Sequence, residues 1–312
     1  MTNGTDASRL TCAVVQLPGL GAADGREIAV ARMVDALAEA ASKGARFVAF
    51  PELCLTTFFP RTWFDDISDV DRFFERQMPN AAVAPLFEAA RAAGVAFTLG
   101  YAELAPGPDG PQRFNTSILV APDGRILGRY RKVHLPGHAD NRPHLSFQHL
   151  EKRYFEVGDT GFQVTDLQGV KAGLCICNDR RWPETYRVLA LRGAELVALG
   201  NNTPTPNTDY DEPDHLNMFH HRLSVQAGAY QNGLWVLAAA KAGAEDGFRL
   251  MGGSCIVAPT GEIVAVAASD APQVLVYDCD LTLGRSIRAH IFNFAAHRRP
   301  EYYAPITAPI SG

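Results

Sequence analysis

The sequence predicts an α/β protein, a four-layer α-β-β-α sandwich with internal pseudo-symmetry forming one domain over residues 1–312, and three observations carry that prediction. Two hairpin segments repeat: SILVAPDGRILG at 117–128 and SCIVAPTGEIVA at 254–265 share Ser, Val, Ala, Pro, Gly and Ile in the same order and spacing. Each is preceded by apolar strands alternating with helices, the signature of an α/β half. The first helix carries Val30, Val34, Leu37 and Ala41 on one stripe while Arg32, Asp35 and Glu39 face away, so it covers a sheet with one side only. Two such halves bury their remaining apolar faces by stacking sheet on sheet, with the helices outside.

In chain order, the first half reads as strand at about 10–17, helix at about 26–43, strand at 46–50, helix at about 81–93 and strand at about 96–101. The first hairpin follows, turning at Pro122-Asp123-Gly124, a preset φ before a permissive glycine. KAGLCIC (171–177), a helix at about 183–192 and ELVALG (195–200) repeat the strand, helix, strand order. A long helix at about 215–231 and LWVLAAA (234–240) precede the second hairpin. Between the halves, GHADNRPHLSFQHL (137–150) is too polar for regular structure throughout and reads as a functional loop. The aromatic, proline-bearing run at 284–312 has the composition of a segment that packs on a neighbouring surface, which points to oligomer contacts.

The charged residues, 34 acidic and 29 basic for a net charge of -5, are scattered without the basic stripe that a phosphate backbone requires, which argues against nucleic acid as a partner. No run approaches the ~20 apolar residues of a membrane span. The opening MTNGTDASRL lacks a basic segment followed by an apolar one, so a cytoplasmic location is expected. The six cysteines are then expected as buried thiols rather than disulfides.

Three polar residues sit at the ends of apolar strands. Glu52 ends FVAFPEL; Lys132 follows the first hairpin in RYRKVHLPG; Cys177 ends KAGLCIC and leads into NDRRWPETYRVL, where Pro183 suits a first helical turn. Each alone is as compatible with a solvated carboxylate, a surface lysine or an inert buried thiol. At a strand-to-helix turn, however, a thiol gains acidity from the helix N-terminus and from any close cation. Cys175-x-Cys177 lacks the second cysteine pair of a four-thiolate metal site. His134, His138, His144 and His149 keep a catalytic metal open as a rival, although the HExxH spacing is absent.

Taken together, FPEL, YRKVHLP and CNDRRWPE resemble the nitrilase superfamily of carbon–nitrogen hydrolases. TTFFPR (56–61), FQHLEKRYFE (147–156), CNDRRWPE (177–184), YQNG (230–233) and HIFNF (290–294) look like its N-carbamoyl-D-amino-acid amidohydrolase branch, across nearly the whole chain. The resemblance implies the sandwich fold, a homo-oligomer (dimer or tetramer) and a Glu52, Lys132, Cys177 site without metal or cofactor. It further implies Glu151 as a supporting carboxylate, with His134, His149 and His220 as polar groups around it.

The chemistry so implied has Glu52 accept the thiol proton, Cys177 attack the carbamoyl carbon, and Lys132 with a backbone N–H near Asn178 hold the oxyanion. The implied substrate is a small carbamoyl amino acid whose carboxylate suits Arg180 and Arg181. Asn202 and Thr203 contribute by the same resemblance. The related readings are an amidase or β-ureidopropionase using the same trio. The unrelated ones are a metal-dependent amidohydrolase, which would survive Cys177→Ala, and a silent binding protein, in which Cys177 would react no faster than Cys175.

Overall fold

The computed structural model describes residues 8–205 and 213–309. Most of MTNGTDASRL, the middle of NNTPTPNTDYDEPD (201–214) and the last three residues of the 284–312 segment lie outside the described residues. In chain order the first half supplies β1 (Arg9–Pro18), α1 (Arg26–Ser42), β2 (Phe47–Ala49), β3 (Phe74–Glu75), α2 (Ala84–Ala93), β4 (Ala96–Gly107), β5 (Gly110–Val120) and β6 (Ile126–Arg131). After the single-turn α3 (Glu151–Tyr154), the second half supplies β7 (Val164–Leu167), β8 (Val170–Ile176), α4 (Pro183–Leu191), β9 (Leu196–Asn201), β10 (Pro204–Thr205), α5 (Asp214–Tyr230), β11 (Trp235–Glu245), β12 (Phe248–Met251), β13 (Cys255–Val257) and β14 (Ile263–Val266). The chain then returns to the first half as β15 (Gln273–Asp280), followed by α6 (Leu281–His290).

The two halves repeat one topology. The order β15-β1-β2-β4-β5-β6 matches β7-β8-β9-β11-β13-β14 strand for strand: an antiparallel edge, three parallel strands, then an antiparallel hairpin. The repeated hairpins agree in detail. Gly124 and Gly261 both take a left-handed φ, 85° and 87°, which closes each turn at no steric cost. Each register slips at the same place in the repeat, between Leu119 and Val120 and between Ile256 and Val257. The halves are hydrogen-bonded to each other where β1 and β11 pair in parallel at Leu17↔Lys241 and Pro18↔Ala242.

Side-chain alternation along the strands builds the layers. Cys12 and Val14 of β1, Phe47 and Ala49 of β2, and Leu119 of β5 pack with Leu174, Ile176, Leu196 and Ala198 of the second sheet. Their neighbours of opposite parity, Ala13, Val15, Val48 and Ile118, pack outward on Val30, Met33 and Leu37 of α1 and Leu86, Phe87 and Ala90 of α2. Tyr186 and Leu189 of α4, with Val225 and Ala229 of α5, cover the far side of the second sheet. The result is the α-β-β-α sandwich. The segment 137–150 carries no helix or strand, and all six cysteines are buried free thiols. β15 is the longest strand without a counterpart in the sequence analysis: it pairs with β1 along eight positions from Arg9↔Asp280 to Gln16↔Gln273. Among the described residues, no helix is long and apolar enough to cross a membrane.

Candidate active site

The carboxyl ends of β2, β6 and β8 deliver one chemical group each, the place where open α/β sheets present their ligand-binding residues. Glu52 lies just past β2 and is 1% exposed. Its Oε1 accepts hydrogen bonds from Asn115 Nδ2 at 2.7 Å and Lys132 Nζ at 2.8 Å. Its Oε2 accepts from the backbone N–H of Asn202 at 2.8 Å, a residue of the other half. The approach of the halves is close enough to demand a glycine: a Cβ on Gly200 would fall 2.8 Å from the Glu52 nitrogen.

Lys132 follows β6, its backbone N–H held by the Asn115 carbonyl at 2.8 Å and its side chain fully sealed from solvent. Beyond Glu52, its Nζ donates to Glu151 Oε2 at 2.6 Å. Two of three ammonium protons are thus committed, and the third is left for a further acceptor. Burial works against the Lys132 charge, but Glu151 and Glu52 outweigh it and hold the ammonium above the usual lysine range. Burial pushes the Glu52 carboxyl up, against the pull of Lys132. Glu151, which also meets His149 Nε2 at 3.2 Å, is held below the usual range because Lys132 and His149 overcome its burial. The two acids therefore differ in role. Glu52 is the one disposed to carry a proton.

Cys177 opens a 3₁₀ turn (Cys177–Arg181) between β8 and α4. Its φ of 45° is left-handed, a conformation that costs an L residue strain and turns the side chain out of the strand direction. Asp179 fixes this elbow from beneath: Oδ2 accepts from Ile176 N at 2.9 Å and Tyr130 Oη at 2.8 Å, and Oδ1 from His134 N at 3.1 Å. Burial, and after it the Glu52 charge, push the Cys177 thiol above its ordinary value, and Lys132 and Arg180 draw it only part of the way back, so the gain in acidity expected at the strand-to-helix turn is outweighed by burial. The exit of β9 links the three residues predicted from separate strands: Asn202 N–H meets Glu52, which holds Lys132, and the next residue, Thr203, stands with Oγ1 3.5 Å from Cys177 Sγ.

The remaining predicted residues divide. Glu151 and His149 join the charged chain directly. His134 lies one layer out, its Nδ1 2.8 Å from Asp179 Oδ1 and its ring stacked on Trp182 at 4.7 Å. Asn178 donates through Nδ2 to the His134 carbonyl at 3.1 Å. Thr203 Oγ1 stands 3.5 Å from Cys177 Sγ, and the Asn202 side-chain amide is buried without a hydrogen-bond partner. Arg181 is half-buried, whereas Arg180 is 2% exposed and turned inward: Nη1 donates to the Cys177 carbonyl at 2.7 Å and to Asn201 Oδ1 at 3.1 Å. Nε of Arg180 has no hydrogen-bond partner among the described residues and its Nη2 only Thr203 Oγ1 at 3.5 Å, so the Nε–Nη2 edge remains open to a carboxylate.

His220 is half-buried on α5 against Phe219, and it is its neighbour His221 that is sealed, its Nε2 donating to the Gly253 carbonyl at 3.2 Å. Burial, reinforced by Arg180, lowers His221 to about 3, so it is neutral under ordinary conditions. Asn115, Asp179 and His221 were not singled out from the sequence. Asn115 had a signal, a lone amide in the strand FNTSILV. Among the described residues, no group of three or more His, Cys, Asp or Glu side chains has the arrangement of a metal site.

A family model described as carbon-nitrogen hydrolase matches residues 11–289. The chain is 32% identical over 266 residues to a nitrilase of Pyrococcus abyssi, covering 85% of this chain and 88% of that one. It is 30% identical over 280 residues to the N-carbamoylputrescine amidase of Arabidopsis thaliana, covering 85% of each. In structure it is similar to an amidase from Nesterenkonia sp. AN1 that carries acrylamide, by Michael addition, on its active-site cysteine. That likeness has a TM-score of 0.68 and 26% identity, over 91% of this chain and 98% of that one.

Proposed function

The chain belongs to the carbon–nitrogen hydrolase family, and from that premise we propose that it hydrolyses N-carbamoyl-D-amino acids to the D-amino acid, ammonia and carbon dioxide. The observation that carries the reading is the sealed ammonium of Lys132, bridging Glu52 at 2.8 Å and Glu151 at 2.6 Å beside a thiol on a strained elbow. A ureido carbon is a poor electrophile because two nitrogens donate into its carbonyl, so it needs nucleophile activation and charge stabilisation together.

Glu52 takes the thiol proton and Sγ attacks the ureido carbon. The oxyanion is held by the uncommitted Lys132 proton and a backbone N–H near Asn178. Glu52 returns its proton to the departing nitrogen as the C–N bond breaks, leaving an acyl group on Sγ. It then takes a proton from water, whose oxygen attacks that carbonyl, and the C–S bond breaks as the thiol is restored; the carbamic acid so released breaks its own C–N bond, its hydroxyl proton passing to nitrogen, to give carbon dioxide and the second amine. Arg180, Arg181, Asn202 and Thr203 are the proposed contacts for the substrate. Preference for the D form rests on the resemblance carried by CNDRRWPE and HIFNF.

The test is ammonia release from N-carbamoyl-D-phenylalanine, its L enantiomer and N-carbamoylputrescine, with Cys177→Ala as the control. Turnover of the D compound alone is expected. The likeness to a carbamoylputrescine amidase favours a second reading, yet the distal cation of that substrate would approach the cationic CNDRR turn. Efficient turnover of N-carbamoylputrescine, or none of any carbamoyl amino acid, defeats the first reading. A cytoplasmic homo-oligomer is part of the proposal. Ile291, Tyr302 and Ile306 of the C-terminal segment are 57%, 76% and 61% exposed and give it an apolar face, and a monomeric mass in solution would remove that part.

A further inference from the structure

A carboxylate taken out of water carries two oxygens and about four lone pairs, and its burial is costly unless donors meet them. The Nε–Nη2 edge of Arg180 offers two donors. Three buried side-chain amides hold further donors without a partner among the described residues: Asn201, Asn202 and Asn217. The first two belong to the exit of β9. Asn217 belongs to α5, and the chemistry described above gives it no part.

Asn217 is 1% exposed, yet neither its Oδ1 nor its Nδ2 has a hydrogen-bond partner among the described residues. Native folds leave few such groups, because an amide stripped of water and left unbonded is costly. With no bond to the α5 backbone, it is not a helix cap. The inward face of α5 runs Asn217, His221, Val225, Ala229 at four-residue intervals. Val225 and Ala229 pack in the core, whereas His221 lies against Arg180 and the Gly253 carbonyl. Asn217 stands one turn further toward the helix start, a rise of about 6 Å.

Two contacts bring that end of α5 to the site. The helix packs on the Cys177–Arg181 turn. Met218, next to Asn217, closes on Gly253, where an added Cβ would fall 2.7 Å from Met218 Cε. Two residues before Gly253, Met251 N–H donates to the Thr203 carbonyl at 2.8 Å, which joins this wall to the side of the site that Thr203 and Arg180 occupy. His221 cannot serve an anion there. Its Nε2 proton goes to Gly253, and burial with Arg180 alongside keeps the ring neutral, so Nδ1 is a bare acceptor. The unspent buried donor on this face is Asn217 Nδ2.

We propose that Asn217 is a specificity-determining residue whose Nδ2 donates to the substrate carboxylate lying along the Nε–Nη2 edge of Arg180. This rests on the reading of the substrate as a carbamoyl amino acid and deepens it. The carboxylate is held from both β9 and α5, and a compound lacking it leaves buried donors unpaired.

Two compounds that differ only by the carboxylate test the proposal: N-carbamoyl-D-phenylalanine and N-(2-phenylethyl)urea. KM and kcat are measured for the first, and the KI of the second as its competitor, in wild type, Asn217→Leu and Asn217→Asp. The leucine keeps the volume and removes the donor. The aspartate keeps the shape and sets a negative charge against the carboxylate. KM is expected to rise about tenfold or more in Asn217→Leu and about a hundredfold in Asn217→Asp, with kcat within about threefold. The KI of the urea should stay within about threefold throughout. An amide with only a structural role would move both compounds together.

Should Asn217→Leu not fold, the isosteric Asn217→Asp still decides, because its effect must differ between the two compounds. An unchanged KM, or KM and KI rising in parallel, overturns the proposal and leaves the substrate reading intact. A wild type inert toward every carbamoyl amino acid removes both.

Discussion

Replacing Lys132 by methionine removes the ammonium from between two sealed carboxylates while keeping most of the side chain's length and apolar volume. Two charge-assisted hydrogen bonds, of 2.8 Å to Glu52 and 2.6 Å to Glu151, are lost together. Neither acid gains water in exchange, since both side chains have no solvent exposure. Breaking a buried ion pair from one side costs about 3–5 kcal/mol. At about 2 °C per kcal/mol for a chain of this size, the thermal midpoint should fall by ~6–10 °C near neutral pH.

The sign with pH follows from the two acids. In the wild type, Glu151 is held low by Lys132, so its contribution to stability is present above the ordinary carboxylate pKa and is lost as pH falls through its depressed folded value. In Lys132→Met both acids rise, and their charged forms destabilise the fold progressively as pH increases through those raised values. The gap between variant and wild type must therefore narrow toward pH 5 and widen toward pH 8. Calorimetry across that range measures it. A midpoint within 2 °C of wild type at pH 8, or a gap that widens toward acid, would refute the argument that this lysine bears the charge of both carboxylates. Activity should fall by at least about 10²-fold through loss of the oxyanion donor.

Gly200→Ala should depress activity and cost about 1–3 kcal/mol of stability, because the added Cβ would meet the Pro51 and Glu52 backbone at 2.9 and 2.8 Å rather than a flexible side chain; wild-type kinetics in this variant would show that the two halves can separate without consequence. The acid limb of kcat/KM should lie above the ordinary glutamate pKa of about 4.3, because burial raises Glu52 and only its ionised form can accept the thiol proton. A limb at or below that value in a pH–rate profile would point to another base.

The residues at strand exits were readable because a carboxylate, an ammonium and a thiol each interrupt an apolar run. The hairpin repeat was readable because turn chemistry is local. Asp179 was less accessible: its partners Tyr130 and His134 come from β6 and the turn after it, and no spacing along the chain announces that convergence. β15 pairs with β1 across more than 250 residues, a partnership that strand propensity alone does not specify. His221 was hidden by the composition of α5, whose inward face begins with Asn217 and His221 before reaching Val225 and Ala229. A face that starts polar offers no apolar stripe to detect. Arg180 was recognised as functional from its place beside the nucleophile, but only coordinates could tell which way it turns.

The hydrogen bond from Asn202 N–H to Glu52 ties the base in one repeat to the strand end of the other. Neither repeat owns the chemistry: the first carries the base and the ammonium, the second the sulfur and the amide that aims the base. A severed N-terminal fragment would thus hold a proton acceptor with nothing to deprotonate, and a drift of one repeat against its sibling would be felt as misaimed proton transfer before it was felt as unfolding.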